Sequence, residues 1–315
     1  MISLKGRFFR WMVGLQNINP IEHPDAVRKM QKTAERYIND KIKSGYTLEK
    51  CKTVNGSRYQ VIKKRGSGCC SKAIYYLHGG CYVCGLTYNY RDFCIPFCNI
   101  DEETEVILLD YDVAPKYKYP TQLNQAADVW NEIINERGIK ESNIVVGGDS
   151  SGGNLVLALM LKLRDENQMM PAGIFLLSPW TDMLANGKSY EKNYNNDIEI
   201  GQKKSGLWTD VKQRILNSDL YCYIGDADRC SPYISPANGD YHGFPPMFIA
   251  VGEHEMLLDD SIVVAKKAKA TGVKVVLERK PEMFHTYVLY MNNFPESNET
   301  YQKLIDYVRS LISGK

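Results

Sequence analysis

Residues 143–154 read NIVVGGDSSGGN and constrain the fold of the chain more than any other stretch. Residues 143–146 form a short apolar run of strand character, and residues 148–152 (GDSSG) match the pattern G-x-S-x-G. The segment that follows, LVLALMLKLRDEN, has apolar residues at helical spacing. This order predicts a sharp strand-to-helix turn that carries Ser150 at its tip, which is the backbone context of a nucleophile elbow.

The glycines of this pentapeptide have a steric role in the prediction. A serine at such an elbow has a positive φ, and Gly148 and Gly152 lack the Cβ atoms that would collide on either side of it. The main alternative is the phosphate-binding turn of a nucleotide fold. A P-loop requires Lys and then Ser or Thr after its last glycine, whereas Asn154 and Leu155 stand here. The sequence therefore favours the elbow.

The composition is that of a globular protein without a polyanionic main partner. Of the 315 residues, 44% are hydrophobic and 24% are charged, which suffices for a large core. The 39 Lys and Arg residues nearly balance the 37 Asp and Glu residues, and no long basic or acidic block occurs. We therefore expect no nucleic acid partner, and no acidic membrane as the main partner.

The first residues combine apolar and basic side chains. Residues 1–17 read MISLKGRFFRWMVGLQN and include Lys5, Arg7 and Arg10. Arg10 interrupts the apolar stretch that a signal peptide requires, and no apolar run approaches membrane-spanning length. We expect an amphipathic helix close to the substrate entrance and no stable membrane insertion.

Nine cysteines raise the question of disulfides or a metal site. Cys81 with Cys84, and Cys94 with Cys98, have spacings that metal sites use. An odd count without a secretory signal favours reduced thiols in a cytoplasmic protein, so we expect no bound metal and no cofactor. The remaining cysteines stand at positions 51, 69, 70, 222 and 230.

Strands alternate with helices along most of the chain. This alternation predicts an α/β fold with a mainly parallel central sheet flanked by helices on both sides. It stops in a polar, tyrosine-rich stretch, residues 184–238, whose most helical part is residues 202–216. We interpret 184–238 as a cap insertion over the carboxyl edge of the sheet, residues 1–50 as mostly helical cap, and residues 51–315 as the main domain. The predicted strands are 59–64, 72–77, 105–111, 143–146, 173–180, 246–252 and 273–279, and the predicted helices around the sheet are 89–99, 120–137, 155–167, 259–270 and 296–313.

A nucleophilic serine needs a general base within hydrogen-bond reach, and histidine suits neutral pH. Only His285, in the loop between the last predicted strand and the last predicted helix, gives the order serine, acid, histidine with room for an acid upstream. The other histidines are His23, His78, His242 and His254.

The acid is expected after the preceding strand, in the segment GEHEMLLDD. Spacing alone leaves four carboxylates open: Glu253, Glu255, Asp259 and Asp260. Glu255 lies in the turn beyond the strand end, whereas Asp259 and Asp260 begin the next predicted helix, where carboxylates favour the helix dipole. Glu255 is the preferred candidate, and it would hold the Nδ1–H of the base and stabilise the imidazolium.

Backbone N–H groups must also meet the charge that develops on a substrate carbonyl oxygen. The turn HGGC, residues 78–81, follows a predicted strand and is similar to the HGGG-type oxyanion motif of esterases. The N–H of Ser151 directly follows the nucleophile and is a second candidate donor.

Five motifs in this order resemble those of the hormone-sensitive-lipase-like group of α/β-hydrolase carboxylesterases. They extend over nearly the whole main domain, and the ordered set is more specific than any single motif. The motifs of the group are HGGG, DYRLAPE with a nearby FP, GDSAGG, a GSDExLLDD-type segment, and a late MPH or MFH. The corresponding segments here are HGGC (78–81), DYDVAPK (110–116) with Tyr119-Pro120, GDSSGG (148–153), GEHEMLLDD (252–260) and MFH (283–285), together with LLSPWTDM (176–183).

The resemblance implies an α/β-hydrolase fold with a helical cap over an acyl pocket. It assigns the nucleophile, the acid and the base to Ser150, Glu255 and His285. Glutamate stands where aspartate is commoner in this group, which adds one methylene, so the histidine must sit correspondingly farther back. The resemblance also makes a homodimer through the last strand an oligomeric state to expect.

The resemblance further implies that the N–H groups of Gly80, Cys81 and Ser151 form the oxyanion hole, with Gly79 shaping the turn. Cys81 replaces the last glycine of HGGG and can still donate its N–H, but its side chain needs space and would narrow the pocket. Asp149, next to the nucleophile, is expected to orient the turn or a neighbouring loop, because neighbouring side chains on an elbow point apart.

These inferences predict a cofactor-free serine carboxylesterase that hydrolyses small short-chain acyl esters through an acyl-enzyme. Two alternatives remain open at this level: a non-catalytic ligand-binding protein on the same scaffold, and a deacetylase or amidase with the same triad. Cap tyrosines would be available to stack on sugars or aromatic groups in the second alternative, namely Tyr190, Tyr194, Tyr221 and Tyr223.

Overall fold

Eight strands form a single sheet in the computed structural model of the chain, which describes residues 2–18, 20–23, 25–201 and 208–313. Their order across the sheet is β1-β2-β4-β3-β5-β6-β7-β8. The strands are Tyr46–Lys52 (β1), Arg58–Lys64 (β2), Lys72–Leu77 (β3), Thr104–Asp110 (β4), Ile144–Asp149 (β5), Gly173–Leu177 (β6), Met247–Gly252 (β7) and Val275–Lys280 (β8).

The prediction of a mainly parallel sheet is confirmed. Strands β3 to β8 are parallel to one another, while β2 is antiparallel to both β1 and β4. The register pairs Leu77 with Gly148 and Asp149 with Leu177, so the carboxyl ends of β3, β5 and β6 meet at one edge of the sheet. Ser150, which follows β5 directly, therefore lies where loops from several strands converge.

Helices cover both faces of this sheet, as predicted. Within β4, Ile107 and Leu109 join the apolar layer beneath one set of helices, and Val106 and Leu108 join the layer on the opposite face. This alternation follows from the two-residue period of a strand that is buried on both sides. The α-helices in the described residues are Leu4–Leu15 (α1), Ala26–Glu35 (α2), Tyr88–Cys94 (α3), Thr121–Asn135 (α4), Ser151–Asp165 (α5), Lys188–Lys192 (α6), Trp208–Leu216 (α7), Leu258–Ala270 (α8) and Pro295–Ile312 (α9).

Two regions differ from the expectation. The region 1–50 is not helical throughout, because β1 begins at Tyr46 and pairs antiparallel with β2. This strand lies at the sheet edge and is mostly exposed or half-buried, so it lacks the apolar run that marks the central strands. Of the helix predicted at 202–216, residues 202–207 lie outside the described residues and the remainder forms α7.

Among the described residues, no helix has both the length and the apolar character needed to cross a membrane.

The elbow glycines are sterically required, as predicted. A Cβ on Gly148 would lie 2.6 Å from the carbonyl carbon of Gly152, and a Cβ on Gly152 would lie 2.0 Å from the carbonyl oxygen of Leu77. Both distances are much shorter than a van der Waals contact between heavy atoms, and the neighbours are backbone atoms, which cannot rotate away as a side chain can. Helix α5 can therefore approach β3 this closely only through glycine.

We expect Gly152→Ala to lower the free energy of unfolding by about 3 kcal/mol, because the added methyl overpacks a backbone contact that the sheet holds in place. Urea denaturation followed by circular dichroism measures the change. Gly68→Ala is the matched control, since a Cβ on Gly68 would have no heavy atom within 4 Å. Equal stability of the two variants would contradict the steric interpretation of the elbow.

Candidate active site

Ser150 occupies a sharp turn between β5 and α5. Its φ is 51° and its ψ is −121°, which confirms the predicted strained backbone. The turn is fixed on both sides: the Ser150 N–H donates to the Leu177 carbonyl at 2.8 Å, and the Ser150 carbonyl accepts the Trp180 N–H at 3.0 Å. The hydroxyl therefore projects from a rigid backbone at the edge of the sheet.

His285 lies beside this hydroxyl. Its Nε2 is 3.0 Å from the Ser150 Oγ, and its Nδ1 is 2.9 Å from Oε2 of Glu255. The three groups form a hydrogen-bonded chain in which a carboxylate can orient the imidazole and the imidazole can accept the serine proton.

The other four histidines lie away from the serine hydroxyl. His78 is buried beneath the HGGC turn and stacks on Tyr111 with ring centroids 4.1 Å apart. The His242 ring forms a hydrogen bond with the Asp240 carboxylate at the surface, and the backbone N–H of His254 donates to the Met283 carbonyl. The His23 ring contacts Lys29 in an exposed position.

The four candidate carboxylates have separate environments, which distinguishes them where spacing did not. Glu253 forms a surface ion pair with Arg279. Asp259 accepts the Ser189 N–H, and Asp260 is buried where it accepts the N–H groups of residues 181 and 182. Only Glu255 contacts His285.

Ser178 holds the Glu255 carboxylate in place, and sequence reasoning missed it. Its hydroxyl donates to Glu255 Oε1 at 2.9 Å and accepts the Thr286 N–H at 3.0 Å, so it ties the acid to the histidine loop. The Gly252 N–H donates to the same oxygen. The only available signal was the position of Ser178 in the motif LLSPWTDM, which the resemblance did not connect to a role.

The charges of the acid and the histidine depend on each other. Burial raises the pKa of the Glu255 carboxyl, and the hydrogen bond and charge of His285 oppose this rise. Burial alone would lower the pKa of His285, but the hydrogen bond and the charge of Glu255 outweigh it and hold that pKa above its ordinary value. The arrangement therefore favours an imidazolium next to a carboxylate, which is the state formed after a serine loses its proton.

The HGGC turn reaches the elbow through Gly79 and Asp149. The Gly79 N–H donates to Asp149 Oδ1 at 2.9 Å, so Gly79 shapes the turn and does not present its N–H to the cavity. A Cβ on Gly79 would lie 2.3 Å from Asp149 Oδ2, which explains the glycine. Tyr76 and Tyr90 also donate to Asp149, which confirms that Asp149 orients neighbouring segments. Burial raises the pKa of Asp149 to about 6.

Three backbone N–H groups remain near the serine. Within the part of the chain that the structure describes, those of Gly80, Cys81 and Ser151 donate to no protein acceptor. Gly80 and Cys81 line the same cavity as Ser150, and Ser151 is the first residue of α5. Cys81 has a φ of 54°, a conformation that is uncommon for a residue with a side chain.

Two cavities of different size meet at Ser150 and His285. The larger has a volume of about 330 Å³ and includes Asp149, Tyr90 and Glu199 among its walls. The other has a volume of about 40 Å³ and is lined almost entirely by apolar and aromatic side chains: Ile21, Trp180, Tyr190, Ile200, Ile215, Leu220, Tyr221, Met256 and Leu257, besides Cys81. The serine therefore borders a wide cavity with polar and apolar walls and a narrow cavity with apolar walls.

The sequence did not reveal that Glu199 lines the larger cavity, or which of the cap tyrosines line a cavity. Glu199 lines the larger cavity, where burial raises its pKa to about 8. No motif marks it, because it belongs to the irregular insertion. Of the tyrosines proposed to stack on ligands, Tyr190 and Tyr221 line the smaller cavity. The other two are packed away from it: Tyr194 is 2% exposed, and Tyr223 stacks on Tyr82.

A parallel sheet with a serine elbow at its carboxyl edge defines an α/β hydrolase. The comparisons with known proteins agree: a family model described as alpha/beta hydrolase fold matches residues 74–289. An esterase of Acinetobacter venetianus is 30% identical over 258 residues, which cover 81% of this chain and 80% of that protein.

Solved structures give the same result over the whole length. The crystal structure of EstE5 soaked with p-nitrophenyl butyrate superposes with a TM-score of 0.85 at 27% identity and covers 99% of this chain and all of the other. An esterase of the bacterial hormone-sensitive lipase family superposes with a TM-score of 0.83 at 27% identity and equal coverage. The chain belongs to the hormone-sensitive-lipase-like family of α/β hydrolases, and at the level of this family it is a serine carboxylesterase.

Proposed function

We propose that the chain hydrolyses short-chain acyl esters with Ser150 as nucleophile, His285 as general base and Glu255 as the acid that orients the base. The observation that carries this proposal is the continuous chain of hydrogen bonds from Glu255 Oε2 through both ring nitrogens of His285 to Ser150 Oγ. His285 takes the serine proton as Oγ attacks the ester carbonyl, and then gives it to the departing alcohol. Water repeats the sequence on the acyl-enzyme and releases the acid.

The tetrahedral intermediate carries its negative charge on the former carbonyl oxygen. We propose that the N–H groups of Gly80, Cys81 and Ser151 stabilise this oxygen, with Gly79 and Asp149 holding the turn in place. The support is that these three N–H groups have no acceptor among the described residues and flank the nucleophile.

The domain organisation proposed from the sequence fits this site. We propose that the helical part of residues 1–50 and the insertion 184–238 together form the cap on the main domain, residues 51–315. Both segments supply walls of the two cavities, for example Val13 and Ile21 from the first and Ile200 from the second. Without these two segments, the remainder of the chain would leave the serine open on this side.

The narrow apolar cavity sets the expected substrate range. We propose that it holds the acyl chain, because it is narrow and apolar, while the wider cavity, which has both polar and apolar walls, admits the alcohol. A panel of p-nitrophenyl esters from acetyl to dodecanoyl is expected to give the highest kcat/KM at acetyl to butyryl and a fall of about tenfold or more by octanoyl.

Leu220→Ala is the variant that tests the acyl assignment, because Leu220 lines only the narrow cavity among those that contain the serine. Shortening it enlarges that cavity, so the optimum is expected to move to longer acyl chains. An optimum at dodecanoyl in the unsubstituted protein would reject the short-chain proposal, and an unmoved optimum in Leu220→Ala would reject the acyl assignment.

The role of Glu255 has a pH signature. Turnover requires neutral His285, so kcat/KM rises with pH as the imidazolium loses its proton. The Glu255 carboxylate raises the pKa of His285, and its removal is expected to move this rise to lower pH. Glu255→Gln is therefore expected to shift the acid limb of the kcat/KM profile downwards and to lower the plateau of kcat about 10³- to 10⁴-fold.

Glu253→Gln provides the control for this change. Glu253 lies two residues away and pairs with Arg279 at the surface, so its loss leaves the imidazole unaffected. A profile shifted by Glu253→Gln and left in place by Glu255→Gln would overturn the choice of acid.

A further inference from the structure

Helix α1 carries an apolar stripe that no part of the described chain covers. Its side chains recur at positions i, i+4, i+7 and i+11, which places them within about 60° of one another around a helix. They are strongly exposed: Leu4 by 83%, Phe8 by 55%, Trp11 by 60% and Leu15 by 61%. Apolar residues of this size are normally scattered singly on a surface, so a continuous stripe indicates an interaction site.

The opposite face of α1 is fixed to the protein. The helix begins at Ser3, whose hydroxyl accepts the Gly6 N–H and donates to Glu296 at the start of α9. Phe9 contacts the ring of Phe294 with centroids 5.3 Å apart, and Val13 is buried. The stripe is thus held outwards on a firmly attached helix.

Basic side chains border the stripe on both sides. At 100° per residue, Lys5 and Arg7 fall on opposite flanks of the apolar positions, and both are exposed. Neither forms an ion pair with any carboxylate in the described ranges 2–18, 20–23, 25–201 and 208–313. Helix α1 itself contains no acidic residue. The near balance of charge over the whole chain conceals this local cluster.

The stripe leads to the mouth of the active-site cavities. Gln16 and Ile18, which follow α1, line the cavity that contains Ser150, together with Val13 from the attached face of the helix. Ile18 and Tyr37, both exposed, also line an adjoining cavity of about 660 Å³. The C-terminal end of the stripe, Leu15, is therefore followed directly in the chain by residues that line the entrance to the serine.

We propose that the outward face of α1 docks on an anionic lipid bilayer, with the Leu4, Phe8, Trp11 and Leu15 side chains entering the headgroup boundary. The charge pattern selects this occupant: Lys5 and Arg7 attract anionic headgroups, whereas the same stripe on a second copy of the chain offers no acidic side chain of α1 with which they could pair. Docking through this face would bring the exposed Ile18, which lines both cavities, towards the lipid surface, where apolar esters concentrate.

Sedimentation of the full chain with sucrose-loaded vesicles tests the proposal without using enzymatic activity, so its outcome is separate from that of the proposed function. We expect binding to vesicles of phosphatidylcholine and phosphatidylglycerol at three to one, weaker binding at high salt, and weak binding to phosphatidylcholine alone. The double variant Phe8→Ser/Trp11→Ser is expected to bind about tenfold less tightly or weaker, because two interfacial aromatic side chains are lost. The variant Lys5→Glu/Arg7→Glu is expected to lose the preference for anionic vesicles.

The control is Val54→Ser/Met169→Ser, which removes two apolar side chains that are 97% and 69% exposed elsewhere on the surface. It should bind like the unsubstituted chain, and thermal melting confirms that each variant is folded. Absence of binding to the anionic vesicles, or equal loss in the control, would overturn the proposal. A dimer that dissociates on Phe8→Ser/Trp11→Ser while vesicles remain unbound would assign the face to a second copy and overturn it too.

Discussion

Replacing Ser150 with alanine is expected to lower kcat for p-nitrophenyl acetate by about 10⁴-fold or more, with little change in the stability of the fold. The Ser150 Oγ is the atom that His285 contacts at 3.0 Å, and alanine offers no atom that can attack the ester. The residual rate comes from substrate binding and the oxyanion donors, which alanine leaves intact. Stopped-flow and steady-state assays of the purified variant measure the loss.

Ser151→Ala is the matched control for this substitution. The Ser151 hydroxyl accepts the Tyr82 N–H at 3.2 Å, and the backbone N–H assigned to the oxyanion hole is retained in alanine. We expect a loss of kcat below about tenfold. Near-normal turnover by Ser150→Ala, or a larger loss in Ser151→Ala, would contradict the assignment of the nucleophile.

Replacing His285 with alanine is expected to cost a similar factor, about 10⁴-fold or more in kcat, because serine and histidine act as one unit. Without the imidazole, no acceptor among the described residues lies within hydrogen-bond distance of the serine hydroxyl, and Glu255 loses the ring that it orients. The double variant Ser150→Ala/His285→Ala should lose little beyond either single variant. Additive losses would mean that the two residues act in separate steps.

His242→Ala is the control for the histidine. His242 lies at the surface, bonds Asp240 and has no contact with the serine, so its loss should leave kcat within about twofold. A deficit in His242→Ala comparable to that in His285→Ala would remove the basis for choosing His285 as the base.

Much of the fold followed from local pattern. The strand, glycine pentapeptide and apolar helix around Ser150 specify a turn that few backbones adopt, and the structure has the positive φ that the glycines predicted. The central strands were recognisable because they are buried on both faces, so that their sequences are continuous runs of apolar residues. Strand β1 escaped prediction because an edge strand pairs on one side only and carries charged residues such as Glu49 and Lys50.

The arrangement of the site depended on tertiary contacts that spacing cannot supply. Spacing alone left Glu253, Glu255 and Asp259 open, and the preference for Glu255 came from its turn position and from the family resemblance. In the structure, the direction of each side chain after β7 separates the three. Ser178 escaped notice because its role depends on atoms that are 77 and 108 residues away in sequence. Glu199 lies in the insertion, where no periodic pattern relates position to orientation.

The cap illustrates a further limit of sequence reasoning. Tyrosine content alone suggested four stacking residues, yet Tyr194 and Tyr223 are used in packing while Tyr190 and Tyr221 face the narrow cavity. Irregular segments fold through long-range contacts, so the exposure of any one side chain in them follows from the whole structure.

Intact-mass and peptide mass spectrometry after treatment with the organophosphate paraoxon tests the central claim most directly, because the reagent modifies a serine only where a base and an oxyanion site activate it. We predict a single diethylphosphoryl group on Ser150 at one equivalent per chain, with no modification of Ser150→Ala and much slower modification of His285→Ala. An unmodified Ser150 in the folded protein, or stoichiometric modification of a different residue, would contradict the account.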